Sequence, residues 1–197
     1  MVQKAVDMIL NRQFNNSMIT NDKISIYRYG YTLLIETFIN FVLALLIGIV
    51  FDAFFSVIIF LAFFVPLRSF CGGWHAESSF GCTVISSMIV LFVTLIYKNQ
   101  WLGDNYLPMV ILDVICMFLI ILCKPQDSKS KSMSKKEKER CHRIVKMQLS
   151  IHLLVIAFMV YIDYCSGVQL FLMIHIVQAL LLWCGRWKNE IEKRKVS

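Results

Sequence analysis

Two cysteines, a histidine, an arginine and three glycines share one short stretch, Arg68-Ser69-Phe70-Cys71-Gly72-Gly73-Trp74-His75-Ala76-Glu77-Ser78-Ser79-Phe80-Gly81-Cys82. A cysteine reacts as its thiolate, and the start of a helix, where the backbone dipole is positive, favours the anion. Cys82 stands where an apolar run begins, with Ser78 and Ser79 just ahead of it as candidate helix caps. His75 lies seven residues before Cys82, near enough for a loop to fold it back as the general base. Backbone N–H groups of the helix's first turn, with those near Gly72 and Gly73, are candidates to hold the oxyanion of a tetrahedral intermediate. Gly81 allows the chain to turn tightly into the helix. These are the parts of a thiol-based acyl-transfer site, with Cys82 as nucleophile and His75 as base.

Several of these residues have a second reading. Cys71 is a rival nucleophile, four residues before His75 and on one face with it if that stretch is helical. It precedes the glycine pair and is not followed by a clear helix start, which favours Cys82. Cys71, His75 and Cys82 are also potential zinc ligands, but Cys-x3-His-x6-Cys offers three ligands and matches no closed structural site. Neither a metal nor a cofactor is therefore expected. Arg68 is either a fork for a substrate carboxylate or a basic anchor at a membrane boundary. Trp74 suits the interface between lipid and water.

The elements that must position this stretch are membrane helices. The chain has 197 residues, 58% hydrophobic and 17% charged, with a mean hydropathy of +0.65. Soluble domains average about 45–50% apolar and about 25% charged. The seven cysteines do not read as a disulfide framework. Lys4, Asp7, Arg12 and Asp22 interrupt residues 1–23, so no secretory signal supports that reading. Cys116, Cys123, Cys165 and Cys184 lie in or at the ends of apolar runs, where free Cys behaves as a small hydrophobe. The net charge of +7 collects at the ends of apolar runs rather than in a stripe interleaved with aromatics, so nucleic acid is not an expected partner.

Residues 1–197 read as a single integral-membrane, all-α unit of about six spans. Val2, Ala5, Val6, Ile9 and Leu10 recur at helical spacing within an N-terminal interfacial segment, 1–32. Spans are predicted at 33–51, 53–67, 83–97, 107–123, 149–164 and 168–184. The run 53–67 is short against the roughly 20 residues of a full crossing. A four-span alternative makes 53–67 and 83–97 re-entrant. Residues 124–146 form a basic linker containing Lys124, Lys129, Lys131, Lys135, Lys136, Lys138, Arg140, Arg143 and Lys146. The tail carries Arg186, Lys188, Lys193, Arg194 and Lys195. The positive-inside rule puts linker, tail and both termini in the cytoplasm, and with them the 68–82 loop. The outward turns, at Asp52, 98–106 and Ser166-Gly167, share only Lys98 as a basic residue. Trp101 and Tyr106 suit the headgroup level there.

The pattern Arg68-x-x-x-Gly72-Gly73-x-His75-Ala76, followed by Cys82, resembles the accessory gene regulator protein B (AgrB) family of bacterial quorum-sensing peptidases. Length, hydropathy and the basic linker agree with that family, but only the motif is specific. The resemblance implies that His75 and Cys82 are catalytic and that Arg68, Gly72 and Gly73 belong to the site. It implies a membrane cysteine endopeptidase in the bacterial cell membrane, with its active site on the cytoplasmic side. The implied substrate is a short pro-peptide with an amphipathic N-terminal helix and an acidic C-terminal segment. Cleavage would release a C-terminal fragment, and an internal Cys or Ser of the precursor would take the acyl group, closing a thiolactone or lactone ring. A homodimer is implied too, with membrane lipid as the surrounding partner.

A rival from another class is a small transporter or channel-like protein using Glu36, Asn40, His175 and Gln178 as an intramembrane polar path. His175 and Gln178 share one helical face. Interhelical hydrogen bonding is the simpler account of both.

Overall fold

The fold was obtained as a computed structural model that describes residues 2–15, 24–73, 78–100, 103, 105–123 and 134–196. His75, Trp74, Trp101, Asp22 and the linker residues Lys124, Lys129 and Lys131 lie outside the described residues. Among the described residues the protein is all-α, with seven helices and no strand. They are α1 (Val2–Asn15), α2 (Ile24–Val50), α3 (Phe54–Cys71), α4 (Ser79–Asn99), α5 (Tyr106–Leu122), α6 (Lys135–Tyr161) and α7 (Cys165–Val196).

Helices α2, α3, α4, α6 and α7 are each long and apolar enough to cross a membrane, and α5 is a shorter apolar helix of 17 residues. At 1.5 Å per residue, α5 is about 25 Å long, a little under the roughly 30 Å of a hydrocarbon core. Large apolar side chains such as Phe38, Phe55, Phe92, Phe118, Leu154 and Phe158 point outward from the bundle, as a lipid-facing surface requires. The chain is a multi-pass membrane protein.

The helices depart from the apolar runs at their ends, for identifiable reasons. The predicted span 53–67 stops at Pro66, yet α3 passes through Pro66 to Cys71, which gives it 18 residues and a full crossing length of about 27 Å. Proline is tolerated in membrane helices where neighbouring groups satisfy the freed backbone. Both α3 and α4 are continuous helices rather than the re-entrant segments of the four-span alternative. Helix α2 begins at Ile24, well before residue 33. Its early turns pack on α1, where Arg28 pairs with Asp7 at 3.0 Å and the Tyr31 hydroxyl meets the Gln13 amide. Val6 and Leu10 of α1 are buried against Val2, Ile24, Tyr31 and Ile35. Thus the N-terminal helix has the expected amphipathic face and spends it on α2. The basic linker shrinks, because its half from Lys135 onward is the start of α6. Ser134 and Glu137 form a reciprocal capping box there.

One end of the bundle gathers the turns α2–α3, α4–α5 and α6–α7. Lys98 Nζ reaches Phe51 O at 2.9 Å and Asp52 Oδ2 at 3.3 Å, and Gln100 Nε2 donates to Ser166 Oγ at 3.3 Å. The Tyr97 and Tyr164 hydroxyls lie 3.0 Å apart, and Tyr106 bonds Asp163. The opposite end gathers Gly72, Leu122 and Arg186, whose Nη2 donates to Leu122 O at 3.4 Å. Successive turns thus lie at alternate ends, as in an up-and-down bundle. This arrangement sets the lone basic residue of one end, Lys98, against the basic start of α6 and the basic end of α7 at the other.

Helix α7 is the axis. In its apolar window 67% of residues are buried, against 28% or less in the other spanning helices. Val168 to His175 are buried without interruption, the signature of a helix enclosed all round. Lipid is as apolar as leucine, so packing alone gives little preference for one helix register over another. Polar bonds supply it. Gln169 Nε2 donates to Ile96 O on α4 at 3.2 Å. His175 Nδ1 lies 2.7 Å from Asp113 Oδ1 on α5, and its Nε2 lies 3.0 Å from His152 Nδ1 on α6.

Candidate active site

The site forms where the ends of α3, α4 and α7 meet. Cys82 is in the first turn of α4, and Ser78 is the N-cap. Ser78 is extended, so its Oγ accepts from Gly81 N–H at 3.0 Å, and Cys82 N–H makes the first helical bond to Ser78 O at 3.0 Å. Gly81 therefore lies inside the helical turn rather than in the approach to it. The N–H groups of Ser79 and Phe80 are left as the donors that a helix start cannot satisfy within itself. Cys82 is partly exposed, whereas Cys71, the last residue of α3, is 3% exposed. None of the seven cysteines is in a disulfide. Accessibility thus separates the two nucleophile candidates in favour of Cys82.

Helix α3 ends at a glycine turn. Gly72 has φ 68° and returns its N–H to Arg68 O at 3.0 Å. Arg68 then folds back, donating from Nη1 to Gly72 O at 3.0 Å. Gly73 follows at φ 126°, a region that disfavours any side chain, and a Cβ there would lie 2.6 Å from Arg68 Nη1 and 3.0 Å from Leu181 O of α7. Both glycines are thus required, by conformation at Gly72 and by conformation and space at Gly73. Gln178 Nε2 of α7 donates to the same Gly72 carbonyl at 3.3 Å. The Arg68 side chain is half-buried, and its charge acts on both Cys82 and Cys71.

Of the residues expected in the site, Arg68, Gly72 and Gly73 meet in one turn at the end of α3, and the Arg68 charge acts on Cys82 at the start of α4. His75 lies outside the described residues. The Gly72 N–H, a candidate oxyanion donor, is already used in closing α3. Arg68 has a structural bond to its own turn that neither the substrate-fork nor the anchor reading contained.

The polar path of the transporter reading divides in two. Glu36 and Asn40 are on α2, which packs on α1, α3 and α4. His175 and Gln178 are on α7, tied to Asp113, His152 and Gly72. Interhelical hydrogen bonding is what those two residues do. The sequence reading passed over Asp113 and His152. Each is an ionisable residue within an apolar helix, a signal that by itself marks a buried polar role. Among the described residues no group of three or more His, Cys, Asp or Glu side chains is arranged to hold a metal.

The model of the accessory gene regulator B family matches residues 3–182. Two proteins of Clostridium perfringens are similar over 173 residues, 85% of this chain and 81% of theirs. "Putative AgrB-like protein 2" (strain 13 / Type A) is 26% identical, and "Putative AgrB-like protein" (strain SM101 / Type A) is 25% identical. No solved structure matches the chain. With a family match over nearly its whole length, the chain belongs to the accessory gene regulator B family and to the quorum-sensing system of that name.

Proposed function

We propose that the protein is a membrane cysteine endopeptidase that cleaves a short quorum-sensing pro-peptide and promotes its cyclisation. The observation that carries this reading is Cys82 itself, a partly exposed thiol in a capped helix start on which the Arg68 charge acts. His75 takes the thiol proton as Cys82 Sγ attacks the scissile carbonyl, and returns it to the leaving amine as the C–N bond breaks. The oxyanion formed between these steps is held by Arg68 and the unpaired N–H groups of the first turn of α4. Gly72 and Gly73 let the chain turn closely enough to admit the substrate.

Release of the C-terminal fragment leaves an acyl thioester on Cys82. An internal Cys of the precursor gives its proton to His75 and attacks the thioester carbonyl, Cys82 leaves as thiolate, and a thiolactone ring closes; a Ser in that place gives a lactone. The thioester keeps much of its acyl-transfer potential, so a bound thiol competes well where water is excluded. Thioesters lie above amides in free energy, so net flux depends on removal of the released fragment or of the ring.

The basic residues at the start of α6 and the end of α7 support a cytoplasmic location for this bundle end under the positive-inside rule. They also attract an acidic C-terminal precursor segment. The homodimer implied by the family belongs to this proposal, as does the reading of residues 1–197 as one membrane domain.

The test is co-expression with the precursor, followed by product mass. Cys82→Ala and His75→Ala each abolish cleavage, and Cys71→Ala retains it. Normal cleavage by either of the first two variants refutes the assignment.

A further inference from the structure

The geometry points to Gln178 as a positioning residue for the site, holding the glycine turn, and through it Arg68, against the Cys82 helix start. The inference deepens the peptidase reading and rests on it for its catalytic meaning.

The Gly72 carbonyl receives two donors from two helices. Arg68 Nη1 comes from α3 at 3.0 Å and Gln178 Nε2 from α7 at 3.3 Å, across 106 residues of sequence. A carbonyl oxygen has two lone pairs, and this pair of bonds fills both. At Gly72 the chain leaves the helical direction, with φ 68°. Whatever fixes this carbonyl therefore fixes the direction in which the chain leaves α3 at Gly72 and Gly73. Leu181, three residues beyond Gln178 and so on the same face, presses its carbonyl against Gly73. The turn is laid on α7 as on a template.

The chemistry of Gln178 excludes packing as its sole purpose. The side chain is fully buried, and among the described residues its Oε1 has no hydrogen-bond partner. Burying an amide oxygen unpaired is destabilising, so stability alone favours an apolar residue of the same volume here. Among the described residues its one side-chain bond is to Gly72 O, and that bond serves the turn.

Gln178→Leu and Gln178→Met remove the donor at nearly constant volume. The full chain, purified in dodecyl maltoside, is treated with iodoacetamide at fixed pH, and alkylation of Cys82 is followed by peptide mass. The exposed Cys184 is the internal control. Without the clamp the Gly72 turn shifts and carries the Arg68 guanidinium bonded to it away from its place, so alkylation of Cys82 slows by at least about threefold. Alkylation of Cys184 stays unchanged, and the thermal midpoint is unchanged or higher. A Cys82 rate like that of the parent in both variants overturns the inference, and so does a change that Cys184 and a lowered midpoint share. Precursor cleavage by Cys82→Ala separates the two ideas. It defeats the peptidase reading, whereas the alkylation result reports on the clamp without any precursor.

Discussion

The Asp113–His175 pair offers the strongest quantitative test of what holds the bundle together. The two side chains are 2% and 0% exposed and 2.7 Å apart, and among the described residues Asp113 Oδ2 has no partner of its own. His175→Ala therefore strips a buried carboxyl of its bond to the imidazole. Two magnitudes compete. Removing one member of a buried charged pair in a soluble protein costs about 3–5 kcal/mol. Interhelical hydrogen bonds in a membrane average only about 0.6 kcal/mol, because the unfolded chain in lipid also finds partners. The depth and shortness of this bond favour the first figure, and the lipid reference state discounts it. About 2–3 kcal/mol is expected for His175→Ala. Asp113→Asn keeps an oxygen that accepts from Nδ1–H and costs about 1 kcal/mol. The assay is reversible unfolding in mixed micelles, run as a double-mutant cycle with Asp113→Ala, His175→Ala and both together. A coupling energy of about 2 kcal/mol is expected. A coupling at or below the roughly 0.6 kcal/mol of an ordinary interhelical bond refutes the reasoning. The buried pair would then be incidental to stability.

Two further substitutions probe the site's scaffold. Gly73→Ala meets a positive φ, with a cost of about 1–3 kcal/mol, and a Cβ pressed on Arg68 and Leu181 O. It should fold, lose stability by that amount in the same micelle assay and lose precursor cleavage; wild-type cleavage rules out the tight turn. Ser78→Ala removes the cap of α4 at a cost of about 1 kcal/mol, and amide hydrogen exchange at Gly81 and Cys82 should quicken. Unchanged exchange there would mean that the cap does not hold the thiol's turn.

Hydropathy carried most of the fold, because a membrane helix must satisfy its backbone internally and therefore appears as an apolar run. What hydropathy marks is the lipid-facing portion of a helix. Charged residues continue a helix out of the bilayer without interruption, as Arg28 does in α2 and Lys135 to Lys146 do in α6. The capping box at Ser134 and Glu137 was the available signal for the start of α6. At the site, Ser78 as cap, Cys82 in the first turn and glycine at the end of α3 were legible from residue type. The clamp on Gly72 was not. Gln178 lies 106 residues away, and only packing of α7 on α3 brings them together.

The same reasoning explains why the polar residues of α7 matter to chemistry at one end of the bundle. Gln169, His175 and Gln178 bond to α4, to α5 with α6, and to the turn after α3. From Gln169 to Gln178 the helix rises about 13.5 Å, so the bonds lie at separate depths in the bundle. Sliding α7 by one turn, about 5.4 Å, would break all of them at once, while apolar contacts would re-form in a new register with little loss. The ladder is therefore what fixes α7 along its axis. Because the last of its bonds is to Gly72, the position of the Arg68 guanidinium relative to Cys82 inherits that register. A substitution deep in the bundle, such as His175→Ala, should consequently disturb the thiol's surroundings without touching them.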